Sequence, residues 1–173
     1  MTANEIEAKV LEINQEELSN KIEELGAEKV FDSHIESEFY DFPDGRIEEN
    51  GLLRLRERED KIFVTRKKDV SYDDAKEMEE IEFDVSSREE ARKFLKSLGL
   101  EKVHKSQKNR TKWVLDDTEL VIDKLPEIPP MLEIEAPTEE KLKEGFEKLG
   151  YSREETVNWG AKKVREKYEQ LKE

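Results

Sequence analysis

The chain has 173 residues, a formal net charge of −14, 44% charged and 34% hydrophobic side chains, and no cysteine. That length suits one domain over residues 1–173 with a real core, and the negative charge argues against nucleic acid or an anionic membrane as a partner, since both reward a basic surface. Without thiolates, and with only His34 and His104 as imidazoles, any metal site has to be built mainly from carboxylates, which suits hard divalent ions.

In chain order, EIEAKVLEI (5–13) alternates Glu5, Glu7 and Lys9 with Ile6, Ala8 and Val10, the period of a strand. QEELSNKIEELG follows with Leu18, Ile22 and Leu25 at helical spacing and Gly26 as a stop. HIESEFYDF, GLLRLRER and KIFVTRKK read as three strands, with turns at Asp44-Gly45 and Glu59-Asp60; DVSYDDAKE (69–77) reads as an exposed loop. EIEFDV then opens a second strand and helix, in which Ser87 and Glu90 have the spacing of a capping box and Gly99 closes the helix. KVHKSQKNRTKWVL, ELVIDKL and MLEIEA are further strands, with Asp116-Asp117 between the first two. A third EIE leads into the helix TEEKLKEGFEKLG, stopped at Gly150, and AKKVREKYEQLKE reads as a last helix. Tight turns between consecutive strands make the sheet antiparallel, so about eight strands with three or four helices give an α+β fold. No apolar run approaches a membrane span and the N-terminus lacks the basic and apolar regions of a signal peptide, so the expectation is a cytoplasmic protein.

Strand parity sorts the charges onto one face. Glu5, Glu7 and Lys9 share a side, as do Arg54, Arg56 and Arg58, and as do Lys108, Arg110 and Lys112; Asp123 stands opposite Ile122. Two arrangements satisfy this pattern. An open sheet leaves the charged face wet, whereas an eight-stranded barrel turns it into a narrow lumen, where charges need partners or ions. Carboxylates on some strands and cations on others are what a polyphosphate with divalent metal requires. Trp113 and Trp159 read as packing aromatics, the histidines as surface or satisfied groups, and Lys112 and Arg58 as surface or rim.

These residues resemble the CYTH superfamily of triphosphate tunnel metalloenzymes, which includes class IV adenylate cyclases, thiamine triphosphatases and tripolyphosphatases. The likeness rests on ExExK at Glu5, Glu7 and Lys9, followed in family order by FYDFPDGRI with Tyr40 and Asp41, LRLR with Arg54 and Arg56, and VTRK with Lys67. EIE at Glu80 and Glu82, KNR with Lys108 and Arg110, Asp123, and the closing EIE at Glu133 and Glu135 complete it. Met78 departs from the basic residue common in the family.

The resemblance implies a closed antiparallel barrel with helices outside, Mg2+ or Mn2+ as cofactor, and a triphosphate-bearing small molecule as partner. It implies metal-side carboxylates at Glu5, Glu7, Asp123, Glu133 and Glu135, assisted by Glu80 and Glu82, and phosphate contacts from Arg54, Arg56, Lys67, Lys108 and Arg110. Lys9, Glu5 and Glu7 are the implied catalytic groups. The expected activity is hydrolysis of tripolyphosphate, thiamine triphosphate or a nucleoside triphosphate. The alternatives are a class IV adenylate cyclase making cyclic AMP and pyrophosphate from ATP, and a non-catalytic polyphosphate- or nucleotide-binding module. Monomer and homodimer are both open.

Overall fold

The computed structural model describes residues 6–69, 78–126 and 128–171. The elements are β1 (Ile6–Val10), α1 (Gln15–Glu24), β2 (Glu28–Asp41), β3 (Gly51–Arg58), β4 (Lys61–Asp69), β5 (Met78–Val85), α2 (Arg88–Ser97), β6 (Glu101–Leu115), β7 (Thr118–Lys124), β8 (Met131–Ala136), α3 (Glu139–Lys148) and α4 (Ala161–Gln170). Each EIE segment opens its expected strand-helix unit: β1 with α1, β5 with α2, β8 with α3. Glu5 and the expected loop beyond residue 69 lie outside the described residues.

Local chemistry explains the helix ends. Ser87 Oγ accepts the Glu90 backbone N–H (3.2 Å) at the start of α2, and Asn14 and Thr138 do the same for α1 and α3. At the far ends Gly26 and Gly99 take φ of +81° and +85°, a backbone that an L side chain rarely adopts. Strand β1 stops at Val10, short of the expected Ile13, because Glu12 sits at φ +59°, outside the β region. Conversely β2 starts six residues before His34, since its first half, EKVFDS, has no clean alternation to announce it.

The strands form one antiparallel eight-stranded sheet in the order β1-β8-β7-β6-β2-β3-β4-β5. The expected closure into a barrel is not found: among the described residues no ladder joins β1 to β5. The outer edge of β1 is already occupied, for Lys9 N donates to Val157 O (2.9 Å) and Val157 N donates to Lys9 O (2.8 Å). Helices α1, α2 and α3 pack on the sheet.

The chain divides into two compact units, Ala3–Ser33 with Lys108–Glu173, and His34–Gln107. In the first, Leu18 and Ile22 of α1 and Leu142 and Phe146 of α3 pack on Ala8, Val10, Trp113, Leu120, Ile122, Leu132 and Ile134. In the second, Ala91 and Leu95 of α2 pack on Tyr40, Leu55 and Leu100. Helix α4 goes elsewhere. Its Val164 and Tyr168 pack on Met131, which shares a side of β8 with Glu133 and Glu135, so part of the charged face is under apolar cover. Tyr168 also donates from its hydroxyl to Glu12 (2.9 Å). No helix among the described residues is long and apolar enough to cross a membrane.

Candidate functional site

In the first unit, register brings the predicted charges into rows. Glu7 of β1, Glu135 of β8 and Glu119 of β7 are cross-strand partners in one row. Lys9 and Glu133 form the next, and Asp123 with Arg110 of β6 a third. Lys9 bonds outward to Val157, so Lys9 and Glu133 are a pair with no ladder bond between them, in which the side chains come closest. Lys9 Nζ lies 2.5 Å from Glu133 and donates to Glu7 (3.0 Å).

Burial sharpens these contacts, because Lys9 and Glu133 are only 5% and 7% exposed. Burial pushes Lys9 down, but Glu133 and Glu7 outweigh it and hold the ammonium above the usual lysine range. Burial likewise pushes Glu133 up, and Lys9 and Arg110 more than reverse this, so Glu133 is ionised. Glu135 differs. Burial, the adjacent charge of Glu133 and then Glu119 push its carboxyl up to about 8. A crowded acidic row is thus short of positive charge at Glu135.

Carboxylate oxygens of Glu7, Glu133 and Glu135 lie within 4.8 Å of one another. Oxygens bound to one Mg2+ at about 2.1 Å can be no more than about 4.2 Å apart, so a small rotamer adjustment suffices. The donor set is all oxygen, as a hard divalent ion prefers. Exposure runs from Glu7 at the surface through half-buried Glu135 to buried Glu133, which leaves the cluster open on one side.

Asp123 stands apart from this group. Lys108 Nζ (2.6 Å) and Arg110 Nε and Nη2 (both 2.7 Å) donate to its carboxylate, and Arg110 also reaches Glu133 (3.3 Å). Burial and the neighbouring Arg110 lower Lys108 to about 8, against the pull of Asp123. These cations are held ready beside the acidic cluster and could exchange carboxylate oxygens for those of a phosphate.

The second unit holds the other predicted residues. Arg54, Arg56 and Arg58 of β3 face Thr65, Phe63 and Lys61 of β4, while Glu82 and Glu80 of β5 oppose Thr65 and Lys67. Here each carboxylate holds one cation: Arg58 to Glu82 (2.6 Å), Lys67 to Glu80 (2.7 Å), with Thr65 Oγ1 also donating to Glu82 (2.8 Å). Arg56 donates to Ser37 (3.3 Å) and Arg54 is buried. Arg58, expected at the surface or rim, is half-buried and ion-paired. Lys112 of the first unit, read the same way, is also half-buried and pairs with Glu119.

Two motif residues turn out to serve the scaffold. Asp41 accepts backbone N–H groups from Phe42 (2.7 Å), Ile47 (2.9 Å) and Glu48 (2.9 Å), which staples the PDGRI turn. Tyr40 sits in the core under α2 and donates to buried Glu38 (2.9 Å), which Arg92 grips through two nitrogens, so that this carboxyl falls to about 2. Trp113 is fully buried, as expected of a packing aromatic. Glu119 was not singled out by sequence, although its parity with Val121 and Asp123 places it on the charged face.

A family model for the CYTH domain matches residues 3–170. No curated protein matches the chain. Among solved structures, a protein from Pyrococcus horikoshii is 24% identical with a TM-score of 0.75, covering 92% of this chain and 98% of its own. A candidate adenylate cyclase from Vibrio parahaemolyticus is 18% identical with a TM-score of 0.81, covering 96% and 99%. A candidate adenylyl cyclase from Hippeastrum, for which a dominant triphosphatase activity is described, is 15% identical with a TM-score of 0.60, covering 91% and 90%. At these identities the likeness is one of fold.

Proposed function

Because the chain belongs to the CYTH domain family, we propose that it is a metal-dependent hydrolase of triphosphate-bearing small molecules. The observation that carries this reading is the convergence of Glu7, Glu133 and Glu135 beside buried Lys9 and the half-buried cations Lys108 and Arg110. Glu7, Glu133 and Glu135 would hold a divalent ion such as Mg2+ or Mn2+, with Glu5, Asp123, Glu80 and Glu82 as the further metal-side carboxylates to be tested. Such an ion supplies Lewis-acid polarisation of phosphate oxygens.

The protein's own groups do the rest. Lys9 keeps Glu7 and Glu133 oriented and, as a buried ammonium, stabilises charge on a bound phosphate. Lys108 and Arg110 take phosphate oxygens while Asp123 fixes their direction; Arg54, Arg56 and Lys67 are proposed as phosphate contacts of the second unit. Glu135 gives up its proton when a cation is bound, which restores charge balance in the row. Hydrolysis then forms a bond from water oxygen to the terminal phosphorus and breaks the bridging P–O bond, the shortened phosphate chain leaving with the bridging oxygen and the water's proton passing to product phosphate or solvent. Positioning and charge neutralisation suffice for that step without a protein nucleophile.

The test is product identification after incubation with tripolyphosphate, ATP or thiamine triphosphate and Mg2+ or Mn2+. Inorganic phosphate released from the terminal position is the expected result. Cyclic AMP with pyrophosphate from ATP would replace this reading with the cyclase, and tight binding without any product would replace it with a binding module.

A further inference from the structure

Glu119 lies directly across β8 from Glu7 in the row that contains Glu135, yet it is missing from the group whose oxygens converge. Glu119 is engaged instead by Lys112, whose ammonium pairs with Glu119 Oε2 from the neighbouring strand β6. Lys112 stands opposite Val121, with Trp113 beside it locked in the core, so its backbone is fixed. We propose that Lys112 sets the cation affinity of the carboxylate cluster by withholding Glu119 from it as a fourth carboxylate.

This rests on Glu7, Glu133 and Glu135 being the cation site. The physical reason for such a device is a conflict of charges. Each added carboxylate strengthens divalent-ion binding. The same carboxylate repels a polyanionic substrate, so a cluster of four would gain metal and lose triphosphate. Lys112 is a positioning residue in this account: it acts through Glu119 and touches neither ligand.

The experiment titrates Mn2+ alone, and then tripolyphosphate in saturating Mn2+, into the full chain by calorimetry at constant ionic strength. Lys112→Met is expected to bind Mn2+ about tenfold tighter, as an added anionic ligand does, and tripolyphosphate several-fold weaker. Glu119→Gln alone leaves the Lys112 ammonium uncompensated at a partly exposed position and should weaken Mn2+ binding by about twofold. The double variant should return to about the wild-type value, and Lys112→Arg, which keeps the pair, should match wild type. A purely structural role would weaken both ligands together, and a melting curve shows whether each variant is folded. Unchanged Mn2+ affinity in folded Lys112→Met, or tightening that persists in the double variant, overturns the proposal. Glu135→Gln serves as the control for the underlying site: retained Mn2+ affinity there, or no uptake by wild type, overturns the site itself.

Discussion

The two charged faces follow the same alternation and reach opposite electrostatic ends. In the first unit, beside the unlike pairs Lys9 with Glu133 and Arg110 with Asp123, like charges meet across strands: Glu7, Glu135 and Glu119 share a row, and burial leaves Glu135 without an adequate counter-charge. In the second unit, unlike charges meet, with Lys67 against Glu80 and Arg58 near Glu82, both pairs partly exposed. A carboxylate that already holds a cation needs no ligand to be stable, whereas an acidic row around half-buried Glu135 stores repulsion that a cation relieves. Alternation alone therefore does not distinguish the two faces; register does.

The strongest way to break this contrast is Glu135→Gln. Turnover should fall by about a thousandfold, since a divalent ion supplies several kcal/mol of transition-state stabilisation, while the fold remains intact by circular dichroism. The same variant tests the charge balance. Glu135 holds its proton more tightly folded than unfolded, its carboxyl moving from 4.5 to about 8. Between these values the native state carries more protons, so stability should decline as pH rises through that window. Denaturant titrations of Glu135→Gln should lose that decline. Mn2+ binding near pH 7 should release about one proton per ion, measurable in buffers of different ionisation enthalpy.

Asp123→Asn compared with Glu82→Gln sharpens the comparison energetically. Asp123 is buried and gripped by two cations, so removing its charge should cost about 3 to 5 kcal/mol by urea unfolding. Glu82 pairs at a half-exposed position, and its loss should cost about 1 kcal/mol. Equal costs would mean that the two faces are electrostatically alike.

Ligand-linked stability comes next in size. Tripolyphosphate with Mg2+ at about a hundred times its dissociation constant should stabilise the protein by about 2.7 kcal/mol, a melting shift of several degrees. Monophosphate at the same ionic strength should do much less. A shift that ignores phosphate chain length would make both faces merely wet charge. Smallest of all, Glu80→Gln should change stability by less than about 1 kcal/mol, because Lys67 and Glu80 are both about one-third exposed.

Much of this was legible before any fold was known. The period-2 pattern of EIEAKV and LRLRER tells which side each charge takes, since a strand turns each side chain over from the last, and Gly26, Gly99 and Gly150 announce helix ends because they suit left-handed backbone. Such signals are local, carried by a residue and its near neighbours. Register is not local. Whether Glu135 meets a lysine or a glutamate depends on strands far apart in sequence. The same holds for Lys112 restraining Glu119 and for Val157 occupying the edge of β1. The sequence by itself determined the strands, their faces and the family; only the tertiary structure decided which charges are neighbours, because pairing across a sheet is fixed by turns and packing at a distance and leaves no trace in any short window.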